Sequence, residues 1–440
     1  MDLLVVGAGY VGLTTAAVFA GLGHRVTVQD VDAARVDTLN AGRSPIFEPG
    51  LEAAITMHAA DGRLTFTTAV DSSPSPAVAF VCVPTPSDDE GLLDTSIVVS
   101  VVRRLRGAMA SNGAIAVRST LPLAGPDKLS EVIGEKGGPA VLVNPEFMRE
   151  GHALADAGSP SRVVVGWLDQ SDADAARMVA DLYAPLGAPT MVADARSVVL
   201  LKLASNAFLG TKIAFVDELA RLSDAIGADV TTVADGLGLD PRIGRAFLDA
   251  GPGFGGSCLP EQADAIAVEA SSRGLRAPLM ASIGVANRVH QDEIVATIAR
   301  SLADGMAGAR VALLGLAFKA NTDDVRNAPA LALAAALRAR GAAVVGYDPV
   351  AAEAARRADR NLVTAASVLD AVAGADAAIV VTEWAEFRSL DWAPLAAAMR
   401  GDLVYDSRRI LDAPAVSAAG LRYVALGRGA AGRLSSADVG

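Results

Sequence analysis

The stretch Gly251-Pro-Gly-Phe-Gly-Gly-Ser-Cys258 places one of only two cysteines in a 440-residue chain at the end of a loop with four glycines. Glycine lets the backbone take positive φ and approach a ligand closely, so a thiol here is placed to react. The same stretch is compatible with a flexible loop whose small apolar cysteine fills a gap. A second candidate is Lys202 with Asn206, four apart and so on one face of a run that reads as helix from Val198 to Ile226 before Gly227. A lysine in so apolar a helix either lays its stem along the surface or acts as a catalytic cation.

A third pattern binds rather than reacts. Leu3–Val6 reads as a strand running into Gly7-Ala-Gly9-Tyr10-Val11-Gly12, then a helix, then a strand ending at Asp30. Strand, G-x-G-x-x-G, helix and an acidic residue about 20 positions on form the dinucleotide-binding context. The glycines permit the tight turn and bring pyrophosphate to the helix N-terminus, where amide dipoles favour anions. Asp30 is expected to hold the ribose hydroxyls and select NAD over NADP. No arginine beside it is expected to take a 2′-phosphate, Arg35 being the nearest candidate.

These groups need positioning elements. Further apolar runs, Val78–Val83, Ala114–Val117 and Val141–Val143, each end in a polar or proline-rich loop carrying Pro84 and Thr85, Thr120, or Glu146. In a parallel sheet such loops converge at the switch point, although threonine and proline are also ordinary turn residues. A second α/β pattern starts at Arg310, with strands at Ala343–Asp348 and Ala377–Val381 and a helix over Leu331–Arg340. Its first turn lacks the glycine fingerprint and carries Lys319 and Thr322-Asp-Asp-Val-Arg326 instead, which suggests a second phosphorylated ligand. The Val198–Ile226 helix, apolar nearly all round, is expected to be buried at a domain or subunit contact.

Composition bounds the reading. A length of 440 residues predicts two or three domains, and 52% hydrophobic with 20% charged residues marks a compact chain. A net charge of −12 argues against a nucleic-acid partner. Two distant cysteines offer no metal-ligand spacing and no disulfide framework, so no metal and a reducing, cytoplasmic location are expected. Cys82, in an apolar run, reads as an inert core thiol. No apolar stretch is read as approaching the roughly 18 residues of a membrane span, and no membrane partner is expected.

The motifs, in this order, resemble the UDP-glucose 6-dehydrogenase family within the UDP-glucose/GDP-mannose dehydrogenases. They include residues 7–12, Pro-Ile-Phe-Glu-Pro-Gly-Leu (45–51), Val-Pro-Thr-Pro (83–86), Arg-Ser-Thr (118–120), Asn-Pro-Glu-Phe-Met-Arg-Glu-Gly (144–151) and Arg-Ile-Gly (242–244). Gly-Phe-Gly-Gly-Ser-Cys (253–258), Gly-Leu-Ala-Phe-Lys (315–319), Asp-Asp-Val-Arg (323–326) and Asp-Ser-Arg-Arg (406–409) complete them. The resemblance implies two doubly wound Rossmann-like domains, residues 1–196 and 299–440, joined by a central helical dimerisation segment, 197–298. It implies two NAD-linked oxidations of a nucleotide sugar through a thiohemiacetal and a thioester on Cys258, in a homodimer or higher oligomer. Lys202 and Asn206 would stabilise oxyanions, while Thr120, Glu146 and Glu150 would position water and move protons. Gly7, Gly9, Tyr10, Val11, Gly12, Asp30, Arg35, Pro84, Thr85, Thr120, Glu150 and Arg326 would hold NAD. The nucleotide sugar would be met by Phe147, Met148, Arg149, Glu150, Lys202, Asn206, Phe254, Gly255, Gly256, Lys319 and Arg408, with Arg242 reaching it from a neighbouring subunit.

One departure stands beside the thiol. After Cys-x-Pro the family has Lys-Asp, whereas this chain has Glu261-Gln262. An anion there disfavours the thiolate if it points inward. Arg242-Ile-Gly244 resembles the UDP-glucose branch. GDP-mannose or a UDP-N-acetylhexosamine is the alternative substrate, and a catalytically weakened binding relative is the reading that Glu261-Gln262 alone supports.

Overall fold

Runs such as Val78–Val81 and Ala114–Val117 are apolar at every position, which suits strands covered on both faces and not strands with a solvent side. The computed structural model places them so; it describes residues 1–69, 75–88, 92–134, 137–302 and 305–429. The chain forms two units, Met1–Ser205 with Ala265–Arg276, and Asn206–Asp264 with Ala277–Gly440.

The first unit holds an eight-stranded sheet of β1 (Asp2–Val6), β2 (Arg25–Gln29), β3 (Leu64–Thr67), β4 (Val78–Val81), β5 (Ala114–Val117), β6 (Ala140–Val143), β7 (Val163–Trp167) and β8 (Thr190–Asp194). Its order is β3-β2-β1-β4-β5-β6-β7-β8, so the winding reverses between β1 and β4. Every neighbouring pair is parallel except β6 with β7. The loops after β1, β4, β5 and β6 leave one edge, where ligands bind in such sheets. Phe19 and Phe80 stack with centroids 5.0 Å apart in its core.

The second unit holds a parallel sheet of β9 (Arg310–Leu314), β10 (Ala343–Tyr347), β11 (Val363–Thr364), β12 (Ala377–Val380), β13 (Leu403–Asp406) and β14 (Arg422–Ala425), in the order β11-β10-β9-β12-β13-β14. The winding reverses between β9 and β12, repeating the first unit's logic. The helix expected at Leu331–Arg340 is Pro329–Ala339, with Pro329 supplying the favoured first position.

The long helix runs Ala195–Ile226, starting three residues before the expected Val198 because Asp194 Oδ1 accepts the Ser197 amide at 2.9 Å. Gly227, at φ +80°, ends it as expected. Within the chain only one face is covered: Leu203, Ala207, Val216 and Ala220 are buried, whereas Phe208, Phe215 and Leu222 are exposed. Burial all round therefore does not hold for the single chain. The expectation that no stretch approaches a membrane span is also corrected, since this helix is long and apolar enough by length and composition. Its buried Lys202 and Asp217 bond to protein groups, as core helices do.

Candidate active site

The glycine turn after β1 has the shape a dinucleotide requires. A Cβ at Gly7, which sits at φ +104°, would lie 2.4 Å from the Cys82 carbonyl oxygen, and one at Gly12 would lie 1.8 Å from that of Gly7. At Gly9 nothing lies within 4 Å, so the backbone there is open to a pyrophosphate over the start of the helix Tyr10–Gly21. The Asp30 carboxylate is buried at the end of β2, accepting the Ala8 amide at 2.7 Å and the Asp32 amide at 2.9 Å. One expectation is corrected here: an arginine does sit beside it, with Arg35 Nη1 3.3 Å from Asp30 Oδ2. Tyr10 reaches the Phe47 carbonyl with its hydroxyl. Val11 lies in the first turn of the same helix, and Pro84 and Thr85 lie in the loop after β4. Cys82 is buried, and burial pushes its thiol up to about 12, which fits an inert role.

In the same unit Lys202 Nζ donates to Glu146 Oε1 at 2.8 Å and to the Glu146 carbonyl at 2.7 Å, with both side chains buried. Burial works to raise the Glu146 carboxyl, but the Lys202 charge and hydrogen bond and the Met148 amide outweigh it and hold the group below its ordinary value. Glu146 is thus held as a carboxylate against the lysine. The lysine neither snorkels nor stands alone. Phe147 is covered by the Arg162 guanidinium, 3.8 Å from its ring centroid. Met148 Sδ lies 3.6 Å from Thr14 Oγ1. Arg149 is committed to Asp156. Thr120 is half-buried beyond β5, beside Ser119, whose hydroxyl donates to the Val83 carbonyl at 2.6 Å. Arg118 and Asn144 are structural, sharing a buried network with the Tyr183 hydroxyl.

Glu48 is a residue the sequence reading quoted without a role. Its carboxylate accepts the Gly151 amide at 2.7 Å and the Leu154 amide at 3.3 Å, tying down the segment that carries Glu146 to Glu150. The signal was its place in the motif 45–51.

In the second unit Cys258 is the first residue of the helix Cys258–Ser272, where amide dipoles favour an anion. Ser257 Oγ lies 3.7 Å from its Sγ. Gly255 and Gly256 press against a neighbouring segment, since a Cβ on Gly255 would lie 2.4 Å from the Asn327 carbonyl oxygen and one on Gly256 3.0 Å from the Phe318 ring. Phe254 is buried in the same loop. Lys319 follows Phe318, and Arg408, beyond β13, donates to the Phe318 carbonyl at 3.3 Å and sits against Gly251. The expected sugar-binding residues Phe254, Gly255, Gly256, Lys319 and Arg408 therefore converge. Arg242 does not join them; it is exposed and bound to Asp240. Arg326, expected near NAD phosphates, donates from Nε to Asp324 at 2.8 Å.

Asn206 Nδ2 donates to Gln262 Oε1 at 2.8 Å, and both side chains are buried. Gln262, one half of the departure beside the thiol, is therefore the hydrogen-bond partner of Asn206. Glu261 is half-buried, and burial raises its carboxyl, with Arg326 opposing and Asp324 adding to the shift. Asp264 lies instead against Gly284 of the helix Pro278–Ser301, as its offset along the helix predicts.

A dinucleotide turn in one doubly wound sheet and a basic, glycine-lined cluster with a thiol in another define an NAD-dependent oxidoreductase acting on a CH–OH group. The chain belongs to the UDP-glucose/GDP-mannose dehydrogenase family: its NAD binding domain matches residues 1–187, its central domain 196–289 and its UDP binding domain 312–413. A UDP-glucose 6-dehydrogenase of Rhizobium meliloti is 38% identical, covering 97% of this chain and 100% of its own. The UDP-glucose 6-dehydrogenase AglM of Haloferax volcanii is 40% identical over 93% of this chain and 97% of its own. The structure of a UDP-glucose dehydrogenase from Pyrobaculum islandicum superposes with a TM-score of 0.84 at 34% identity, covering 93% of this chain and 94% of that one.

Proposed function

We propose that the chain oxidises UDP-glucose to UDP-glucuronate, with Cys258 as the covalent nucleophile. The observation that carries this reading is a thiol heading a helix at the end of the glycine loop, in the unit where Lys319 and Arg408 gather. The names of the relatives at 38% and 40% identity support the substrate. NAD, which the glycine turn after β1 and the start of the helix Tyr10–Gly21 would hold, would supply the hydride acceptor for each of the two oxidations. The rest falls to the chain. The sugar's C6 hydroxyl gives up its proton, and the resulting aldehyde carbon accepts the Cys258 sulfur to form a thiohemiacetal. Loss of the second hydrogen pair leaves a thioester. Water then attacks the carbonyl carbon, the C–S bond breaks, the uronate departs and the thiol is regenerated.

Lys202 and Asn206, one helical turn apart, stabilise the oxyanions, and Glu146, kept ionised, accepts protons with Thr120 and Glu150 positioning the water. The exposed stripe of Phe208, Phe215 and Leu222, seven residues apart, supports a homodimer in which Arg242 meets the partner's substrate. The test is NADH yield across a panel of nucleotide sugars. UDP-glucose is expected to give two NADH per sugar, and Cys258→Ala to abolish turnover. Full activity in that variant, or preference for GDP-mannose or a UDP-N-acetylhexosamine, would overturn the reading.

A further inference from the structure

We propose that Asn287, His290 and Asp217 are positioning residues that grip the backbone of the cysteine loop from outside and so set where Cys258 stands. The inference rests on Cys258 being the nucleophile. Asn287, on the helix Pro278–Ser301, makes a two-point contact: its Oδ1 accepts the Phe254 amide at 2.9 Å and its Nδ2 donates to the Phe254 carbonyl at 3.0 Å. One turn on, His290 Nε2 lies 2.7 Å from the Gly251 carbonyl oxygen. A carbonyl only accepts, so the Nε2 nitrogen carries the hydrogen. Asp217, on the long helix, completes the grip by accepting the Gly251 amide at 2.8 Å. All three side chains are buried, His290 and Asp217 at 1% exposure.

The loop passes so close that a Cβ on Gly253, at φ +90°, would lie 2.4 Å from Asn287 Oδ1. Arg409 adds a bond from Nη1 to the Ala250 carbonyl at 2.7 Å. The far limb is held at Gly256, whose amide donates to the Arg326 carbonyl at 2.8 Å and whose carbonyl accepts from Asn327 Nδ2 at 3.1 Å.

A loop of four glycines has almost no side chains with which to fix itself, and glycine loses the most conformational freedom on ordering. Its geometry therefore has to come from neighbours. The grip holds the amide and carbonyl of both Gly251 and Phe254, residues seven and four before Cys258, while Gly253 between them, at positive φ, supplies the bend. Buried polar groups that bond the backbone at four points in this way favour one arrangement of it.

The test uses Asn287→Leu and Asn287→Asp in the full-length enzyme with NAD. Four quantities are read: kcat and KM for UDP-glucose, NAD affinity, the melting temperature, and the rate at which iodoacetamide alkylates Cys258, followed by mass spectrometry. Asn287→Leu is expected to lower kcat about tenfold or more and to shift the alkylation rate, with NAD affinity unchanged at temperatures well below melting. Asn287→Asp, which keeps the acceptor for the Phe254 amide, is expected to fall between. If the leucine variant does not fold, His290→Gln, which retains a donor, against His290→Leu gives the same comparison. Wild-type kcat and alkylation in folded Asn287→Leu and His290→Leu overturn the proposal. The alkylation readout needs no substrate, so a wrong nucleotide sugar and a wrong grip fail separately.

Discussion

Asn206 donates from Nδ2 to Gln262 Oε1 at 2.8 Å, joining the long helix to the side chain one turn beyond Cys258 on its own helix. The family resemblance puts an aspartate at Gln262. Either side chain accepts from the amide, but only a carboxylate can also take a proton. Gln262→Leu leaves a buried amide hydrogen without its acceptor, costing about 1–3 kcal/mol in a denaturation experiment, and lowers kcat because Asn206 loses its orientation. Gln262→Asp keeps the acceptor and is expected to raise kcat. A leucine variant as fast and as stable as the parent would show that the contact orients nothing.

The Lys202–Glu146 pair makes a second prediction. Two buried charges bonded to each other tolerate the loss of neither partner, and removing one leaves an uncompensated charge costing about 3–5 kcal/mol. Lys202→Met is expected to lose that stability at neutral pH. Adding Glu146→Gln should restore most of it without restoring NADH formation, since the carboxylate goes with it. Chemical denaturation of both variants checks the pair, and additive losses would mean that the two do not interact.

Legibility in the sequence followed periodicity and local chemistry. The glycine turn, the strands β1, β2, β4, β5, β6, β9, β10 and β12, and the end of the long helix at Gly227 all announce themselves through short apolar runs and φ-permissive residues. Strand β8 does not, because Thr190–Asp194 on the edge mixes polar and exposed positions. Contacts between residues far apart in sequence were equally hidden. Nothing in Glu48, Asn287 or Gln262 reveals a partner, because each pairs with residues 33 to 106 positions away. Arg35 was misjudged because five residues from Asp30 in sequence reads as remote, whereas the turn into the helix Ala33–Asn40 brings it back alongside.

That Arg35 contact bears on cofactor choice. The resident anion, Asp30, is still expected to select NAD, because a 2′-phosphate would meet its buried carboxylate. Once that charge is removed, however, an arginine is already in place to receive a phosphate. Asp30→Ala is expected to lower kcat/KM for NAD by tenfold or more, at about 1.4 kcal/mol per decade, and to raise it for NADP. Asp30→Ala with Arg35→Ala should lose the gain with NADP. Steady-state kinetics with both cofactors decides, and no change in the ratio would remove Asp30 from cofactor selection.

Glu261 carries the last prediction. It lies three positions after Cys258 in the first turn of their shared helix, where side chains at that spacing are neighbours, about 5–6 Å apart at Cβ. An anion so close opposes the thiolate that the helix dipole favours. Burial raises the Glu261 carboxyl above its ordinary value, Arg326 pulls the other way, and Asp324 adds to the rise. The group is therefore neutral in acid and charged above its raised value, so its effect on the thiol grows with pH. Glu261→Gln removes that charge while keeping the shape. The acid limb of its kcat/KM profile is expected to move to lower pH, and its iodoacetamide rate at neutral pH to exceed the parent's, the two proteins converging in acid. Stability has the same sign: a carboxyl with a raised folded value stabilises at low pH and loses that contribution as pH rises through the folded value. Glu261→Gln should thus melt higher than the parent at neutral pH and no higher at pH about 4, near the ordinary glutamate value. An unshifted profile with an unchanged alkylation rate would mean that Arg326 neutralises Glu261 before the thiol feels it.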